Sequence, residues 1–174
     1  MAFADVLSVV FIILGFLIAF PAYWLGSRAL WPGLTRRAER CYRDLPVRTT
    51  LLGIPVTLVL IVLNVVLLAP PNAAIKFVGA LFLAASFGYA LAGVAGLAGH
   101  IGSRLTSPID AGRPWRATLR GAVILELTFL LPVLGWFLIL PLTLLSGVGA
   151  ATIGLLRPDR IAEPAPELET AGVP

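Results

Sequence analysis

The feature that most constrains this chain is where its charged side chains are missing. No Asp, Glu, Lys or Arg occurs at 6–27, 49–75 or 77–103, and 121–156 is interrupted only by Glu126. About 20 apolar helical residues cross a bilayer's hydrocarbon core, and each of these stretches exceeds that. Inside lipid the backbone must satisfy its own hydrogen bonds, so such stretches fold as helices. Composition agrees: 59% hydrophobic and 13% charged residues, with a mean hydropathy of +0.96, leave too few charges to cover a soluble 174-residue domain. The expected class is an all-α, polytopic membrane protein.

The arginines set orientation. No cation precedes the first span, about Asp5 to Gly26, and Arg28, Arg36, Arg37, Arg40, Arg43 and Arg48 follow it. Positive residues concentrate on the cytoplasmic side, so the span is expected to be a retained anchor with its N-terminus outside, not a cleaved signal peptide. Tyr23, Trp24 and Trp31 are expected at the cytoplasmic headgroup level. The second span, about Thr50 to Leu68, ends at Ala69-Pro70-Pro71-Asn72, a short external turn. The third, about Ala74 to Gly99, returns to Arg104. As one helix, 121–156 would be about 54 Å long, so it is expected to turn near Pro132 to Trp136, which brings Arg157 back inside. Labelling from outside is accordingly expected at Asn72 and Gly135 and not at Cys41.

The reading is therefore five membrane segments, N-out and C-in. An anchor helix (1–26) is followed by a cytoplasmic Arg-rich loop (27–49), a first hairpin (50–104), a cytoplasmic loop (105–116) and a second, shorter hairpin (117–157). That hairpin either spans or is re-entrant. A Pro- and acid-rich tail (158–174) is read as disordered.

The two hairpins read as tandem repeats. Pro46-Val-Arg48-Thr-Thr50-Leu51-Leu-Gly53 and Pro114-Trp-Arg116-Ala-Thr118-Leu119-Arg-Gly121 share P-x-R-x-T-L-x-G at an offset of 68. The exits, Ile101-Gly102 and Ile153-Gly154, match at an offset of 52, so the second copy is 16 residues shorter. Both copies start on one side, which makes them parallel repeats about an axis along the membrane normal.

Ala80, Ala84, Gly88, Ala92 and Gly96 recur every four residues and suit close helix packing, within the chain or against a second copy. Leucine at Gly88 or Gly96 is expected to disrupt assembly, and at Ala90, taken to lie on another face, to be tolerated. Gly147 with Ala151, and Ala150 with Gly154, form a shorter stripe.

Glu126 is the intramembrane acid. A charge there is expensive, so it either handles protons or cations in a polar cavity, with Asn64, Ser86, Tyr89 or Thr128, or pins packing as a hydrogen-bonded acid. Asn64 and His100 are the other intramembrane polar candidates. Arg28, Arg36, Arg37, Arg40, Arg43, Arg48 and Arg116 are expected to dock anionic lipid headgroups or an acidic partner.

One Cys, one His and one Met supply too few ligands for the usual metal centres, and no cofactor is expected. With no nucleophile–base pair, paired carboxylates or phosphate loop, the chain reads as no enzyme. Arginines at span ends serve topology, so nucleic acid is not an expected partner.

RTTLLGIPVTLVL from Arg48, RGAVILELTFLLPVLGWFLIL from Arg120 and the following GVGAATIGLLR resemble an uncharacterised polytopic membrane domain. That domain is associated with bacterial bactofilin-like, polymer-forming cytoskeletal proteins. The likeness covers about residues 43–157, and this sequence carries no β-helical polymer-forming segment. The resemblance implies membrane anchoring or scaffolding and brings no catalytic residues. The expectation is a non-enzymatic bacterial inner-membrane scaffold or accessory subunit, self-associating or in a larger complex. The alternative is a small channel or transporter subunit using Glu126.

Overall fold

The computed structural model describes residues 2–105, 114–131 and 133–156. The tail at 158–174 and most of the 105–116 loop lie outside the described residues. All described secondary structure is helical: α1 (Ala2–Leu30), α2 (Pro32–Asp44), α3 (Pro46–Leu68), α4 (Ala73–Arg104), α5 (Pro114–Phe129), a π-helical turn (Gly135–Ile139) and α6 (Leu140–Leu156). Four helical stretches are long and apolar enough to cross a membrane: Asp5–Leu30, Pro46–Leu68, Ala73–Arg104 and Gly135–Leu156. This is an all-helical protein of membrane character. At 16 residues, about 24 Å, α5 is shorter than any of these four.

The stretch read as an Arg-rich loop is helical. Pro32 and Pro46 open α2 and α3 at the first-turn position, where a missing N–H costs nothing. Thr35, Ala38, Cys41 and Tyr42 recur at helical spacing and are buried, while arginines fill the opposite face. α2 lies across α4 and α6 at the arginine-rich end of the bundle. Asn72 caps α4, accepting from the Ala74 amide at 2.9 Å, which fixes the Pro70–Asn72 turn.

The second helix pair departs from a closed hairpin. Beyond their turn α5 packs on α4 and α1, whereas α6 packs on α3, α4 and α2, so the pair straddles α4. Glycines permit this by letting backbones touch. A Cβ on Gly93 would overlap the Gly147 carbonyl, one on Gly53 the Leu145 carbonyl and one on Gly149 the Thr49 carbonyl. On the other side of α4, Gly102 meets the Ala117 carbonyl and Gly121 that of Ala98. A buried cluster of Trp24, Val94, Ala95, Ala98, Ala122, Leu125 and Phe129 joins α1, α4 and α5. Ala38, Cys41, Tyr42, Ala150 and Ile153 form the cluster beneath α2.

The Gly93–Gly147 crossing also sets relative heights. From it α4 continues 20 residues to Ala73, and α6 with its π-turn 12 residues to Gly135, so the second tip stops about 12 Å short of the first. A second copy shorter by 16 residues, eight per arm, has the same consequence. That tip is wholly apolar, with Phe137 82% exposed beside exposed Val133, Leu134 and Trp136.

Two expectations are corrected here. Trp24 is fully buried, stacked edge-on to Phe129 at 6.4 Å, so it is a core residue and no headgroup marker. Ala90 is buried against α6, its carbonyl 2.5 Å from where a Gly147 Cβ would sit, so leucine there would clash. The four-residue stripe explains the error. Four residues advance an ideal helix by 400°, so Ala80 to Gly96 winds through about 160° instead of keeping one face. Ala80 and Ala84 are accordingly exposed, Gly88 is half-buried against the Tyr23 hydroxyl, and Ala92 and Gly96 are buried, Gly96 against Ala38.

Candidate functional site

Glu126 is placed by α5, whose buried face carries Thr118, Gly121, Ala122, Leu125, Glu126 and Phe129. Gly121 brings this face onto the α4 backbone, while Ala122, Leu125 and Phe129 join the cluster around Trp24. Glu126 is 2% exposed, and neither carboxyl oxygen has a hydrogen-bond partner among the described residues. The indole N–H of Trp24, in the neighbouring cluster, is equally unpartnered. An isolated ionised carboxylate at such burial costs several kcal/mol or more.

The residues proposed to assist Glu126 are engaged elsewhere. Asn64 donates to the Leu60 carbonyl at 2.8 Å and meets Ser86 at 3.5 Å, bridging α3 and α4. The Tyr89 hydroxyl pairs with Thr152 at 3.0 Å, bridging α4 and α6, and Thr128 donates to the Ile124 carbonyl. Nearby, a small apolar cleft of about 30 Å³ is lined by Phe20, Trp24, Phe87, Phe129 and Leu144. Its one hydroxyl, on Thr143, is spent on the Leu140 carbonyl.

The arginine-rich end holds the densest polar contacts. Arg28 pairs with Glu39 at 3.2 Å and donates to the Thr118 hydroxyl at 2.7 Å, tying α1, α2 and α5 together above Gly99 of α4. Gly99 is needed there, because a Cβ would sit 2.6 Å from the guanidinium and 2.9 Å from the Glu39 carboxylate. The Tyr42 hydroxyl pairs with Ser146 at 3.1 Å inside the bundle, and Ser146 donates on to the Thr143 carbonyl. Burial and the nearby Asp44 carboxylate hold the Cys41 thiol above its usual range. Burial likewise pushes the Tyr42 phenol up, against the opposing effect of its Ser146 hydrogen bond.

Of the arginines expected to face headgroups, Arg28 is committed to Glu39 and Thr118. Arg36, Arg43 and Arg48 are exposed, with Arg36 donating to the Pro32 carbonyl. Arg37 and Arg40 are half-buried on α2, and Arg116 lies 5.6 Å from the centre of the Trp115 ring. His100, half-buried, has an unpartnered Nδ1. The sequence pattern marked Thr118 only as part of the repeat and gave Glu39, Tyr42 and Ser146 no role. The usable signal was the spacing of Thr35, Ala38 and Cys41 in a charged stretch, which marks a helix face needing a partner.

No group of three His, Cys, Asp or Glu able to hold a metal occurs among the described residues. Comparison with protein-family models, with curated proteins and with solved structures finds no match.

Proposed function

We propose that this chain is a non-enzymatic structural or accessory subunit of the bacterial inner membrane. It packs with copies of itself or within a larger membrane complex. The observation that carries this reading is how the interior polar groups are used. Arg28–Glu39–Thr118, Tyr42–Ser146, Tyr89–Thr152 and Asn64–Ser86 each join one helix to another. Side chains spent on cohesion suit a scaffold, and the resemblance over residues 43–157 points the same way.

The topology we propose is N-out and C-in with five segments, α2 lying at the cytoplasmic surface and the α5–α6 tip ending inside the bilayer. The height difference and the apolar tip support a re-entrant second pair. Parallel repetition is supported by the first arms: Thr49 and Gly53 of α3 touch α6, as Ala117 and Gly121 of α5 touch α4. The first-arm positions are those aligned by the P-x-R-x-T-L-x-G motif.

For partners, the exposed outer part of α1, from Asp5 to about Ala19, offers the least-packed surface. The test is cysteine cross-linking at Ile12 in intact membranes, in a Cys41→Ser background, with native mass measured after mild solubilisation. A cross-linked species of defined mass above one 18.4-kDa chain is expected. A chain that neither cross-links nor exceeds monomer mass would contradict the proposal.

One observation favours a second reading. Both oxygens of Glu126 lack partners among the described residues, as a carboxylate that accepts protons or cations in a channel or transporter subunit would require.

A further inference from the structure

Helix α2 carries its positive charge on one face. Arg36, Arg40 and Arg43 follow one another at intervals of four and three residues, within about 60° around the helix, while Thr35, Ala38, Cys41 and Tyr42 occupy the opposite, buried side. Arg36 and Arg43 are exposed and Arg40 is half-buried. Of the two acids on α2, Glu39 is taken by Arg28, which leaves Asp44 at the helix end. Like charges three and four residues apart repel, so this face gains from an acidic cover.

The chain itself brings acid to this place. Helix α6 ends against α2: a Cβ on Gly154 would stand 3.1 Å from the Arg37 Cβ and 3.7 Å from the Ala38 amide nitrogen, and Ile153 belongs to the cluster of Ala38, Cys41 and Tyr42. Leu156, two residues on, is exposed, so the chain leaves α6 beside the arginine face. Four of the nine acidic residues follow, Asp159, Glu163, Glu167 and Glu169. Arg157 and Arg160 offset the first of them, but 161–174 holds three acids and no base. Fully extended, the chain from Leu156 to Glu163 reaches about 23 Å. The whole of α2 is about 20 Å long, so every arginine of its face lies within reach. A tether this short holds the acids at an effective concentration on the order of millimolar.

We propose that residues 161–174 dock along the arginine face of α2, with Glu163, Glu167 and Glu169 against Arg36, Arg40 and Arg43. The contact is made within one chain and covers a face that anionic headgroups would otherwise meet. It holds whichever side of the membrane α2 occupies, because α2 and the end of α6 touch directly, so it stands apart from the scaffold reading and its topology.

The test is zero-length carbodiimide coupling, which joins a carboxylate to an amine that it touches. Lys76, in the first turn of α4 at the far end of the bundle, is the only lysine, so lysine placed at an arginine position supplies a defined amine without changing the charge. The full chain carrying Arg36→Lys/Arg43→Lys, or Arg116→Lys as a control, is coupled in phosphatidylcholine nanodiscs, and the products are mapped by peptide mass spectrometry. Arg116 stands on α5, on the other side of α4 from α6, about 20 Å or two interhelical distances away, which the segment can also span. Each exposed ion pair favours contact by up to about fivefold, so three together should make coupling of Glu163, Glu167 or Glu169 to α2 at least about tenfold greater, per introduced amine, than to α5. The preference should persist when one third of the lipid is phosphatidylglycerol, and should fall below about threefold in 0.5 M salt. Equal coupling at α2 and α5 would overturn the proposal, as would a preference that salt leaves unchanged. So would loss of α2 coupling in the phosphatidylglycerol nanodiscs, which would assign the face to lipid headgroups, or coupling found only between chains when isotope-labelled and unlabelled protein are mixed.

Discussion

Replacing Gly96 by alanine should loosen α2 from the bundle, and the size of the effect follows from the geometry. A Cβ at Gly96 would stand 2.6 Å from the Ala38 Cβ, 2.8 Å from the Glu39 amide nitrogen and 2.9 Å from the Ala38 carbonyl carbon. Backbone cannot rotate away, so α2 must retreat by about 0.8 Å to regain van der Waals contact. Overpacking of this kind costs about 1–3 kcal/mol, and the better helix propensity of alanine returns about 1 kcal/mol. A net loss of up to about 2 kcal/mol raises the undocked population by as much as roughly 30-fold, and the backbone-on-backbone clash puts Gly96 toward that upper end. Cys41, the only cysteine, is buried on the face that undocking exposes, so its rate of maleimide labelling in nanodiscs reads that population directly. At Gly88 the nearest obstacle is the Tyr23 hydroxyl at 3.2 Å, the far end of a side chain that donates to the Gly88 carbonyl and can shift with it, so Gly88→Ala should change the rate less than about twofold. Equal labelling of wild type and Gly96→Ala would refute the assignment of Gly96 as the seat of α2.

Alkaline pH should weaken the same docking. The Cys41 and Tyr42 groups are held above their usual ranges when folded, so their stabilising contribution is complete below the thiol's ordinary value of 9.0 and is lost as pH rises further. Melting temperature should therefore drop between pH 8 and pH 10.5 (roughly the range spanning these groups) by more in the wild type than in Cys41→Ala. In a Cys41→Ser background, a cysteine at Asn72 should react with an impermeant maleimide added outside, and one at Val133 should not, because the second tip stops about 12 Å lower. Reaction at both would mean that α5 and α6 span fully. Gly135 no longer serves this comparison: it is buried, and a side chain there would meet the Phe129 carbonyl at 2.5 Å. Nor does the silence of buried native Cys41 report sidedness.

Long-range order was legible where one physical effect dominated. Charge-free stretches marked the four long apolar helices, Pro70-Pro71-Asn72 marked the first turn, and Gly147, Ala150, Ala151 and Gly154 proved to be buried. What stayed hidden depended on who packs against whom. α2 is short and charged, so a search for apolar runs passed it by, and its partner face became visible only beside Gly96 and Gly154. The winding of a four-residue stripe put Ala80 outside and Ala90 inside. Glu126 was found from sequence because an acid in an apolar run stands out, but its lack of partners could be seen only in three dimensions.

The central claim, cohesion without conduction, meets its most direct test at Glu126. Proton and cation flux should be measured in proteoliposomes holding wild type or Glu126→Gln, with assembly checked on the same samples. Glutamine keeps the shape, a donor and an acceptor while removing the titratable group. The account predicts no flux above empty liposomes in either sample and equal assembly in both. Robust wild-type flux that vanishes in a well-assembled Glu126→Gln protein would contradict it and make Glu126 the conducting group.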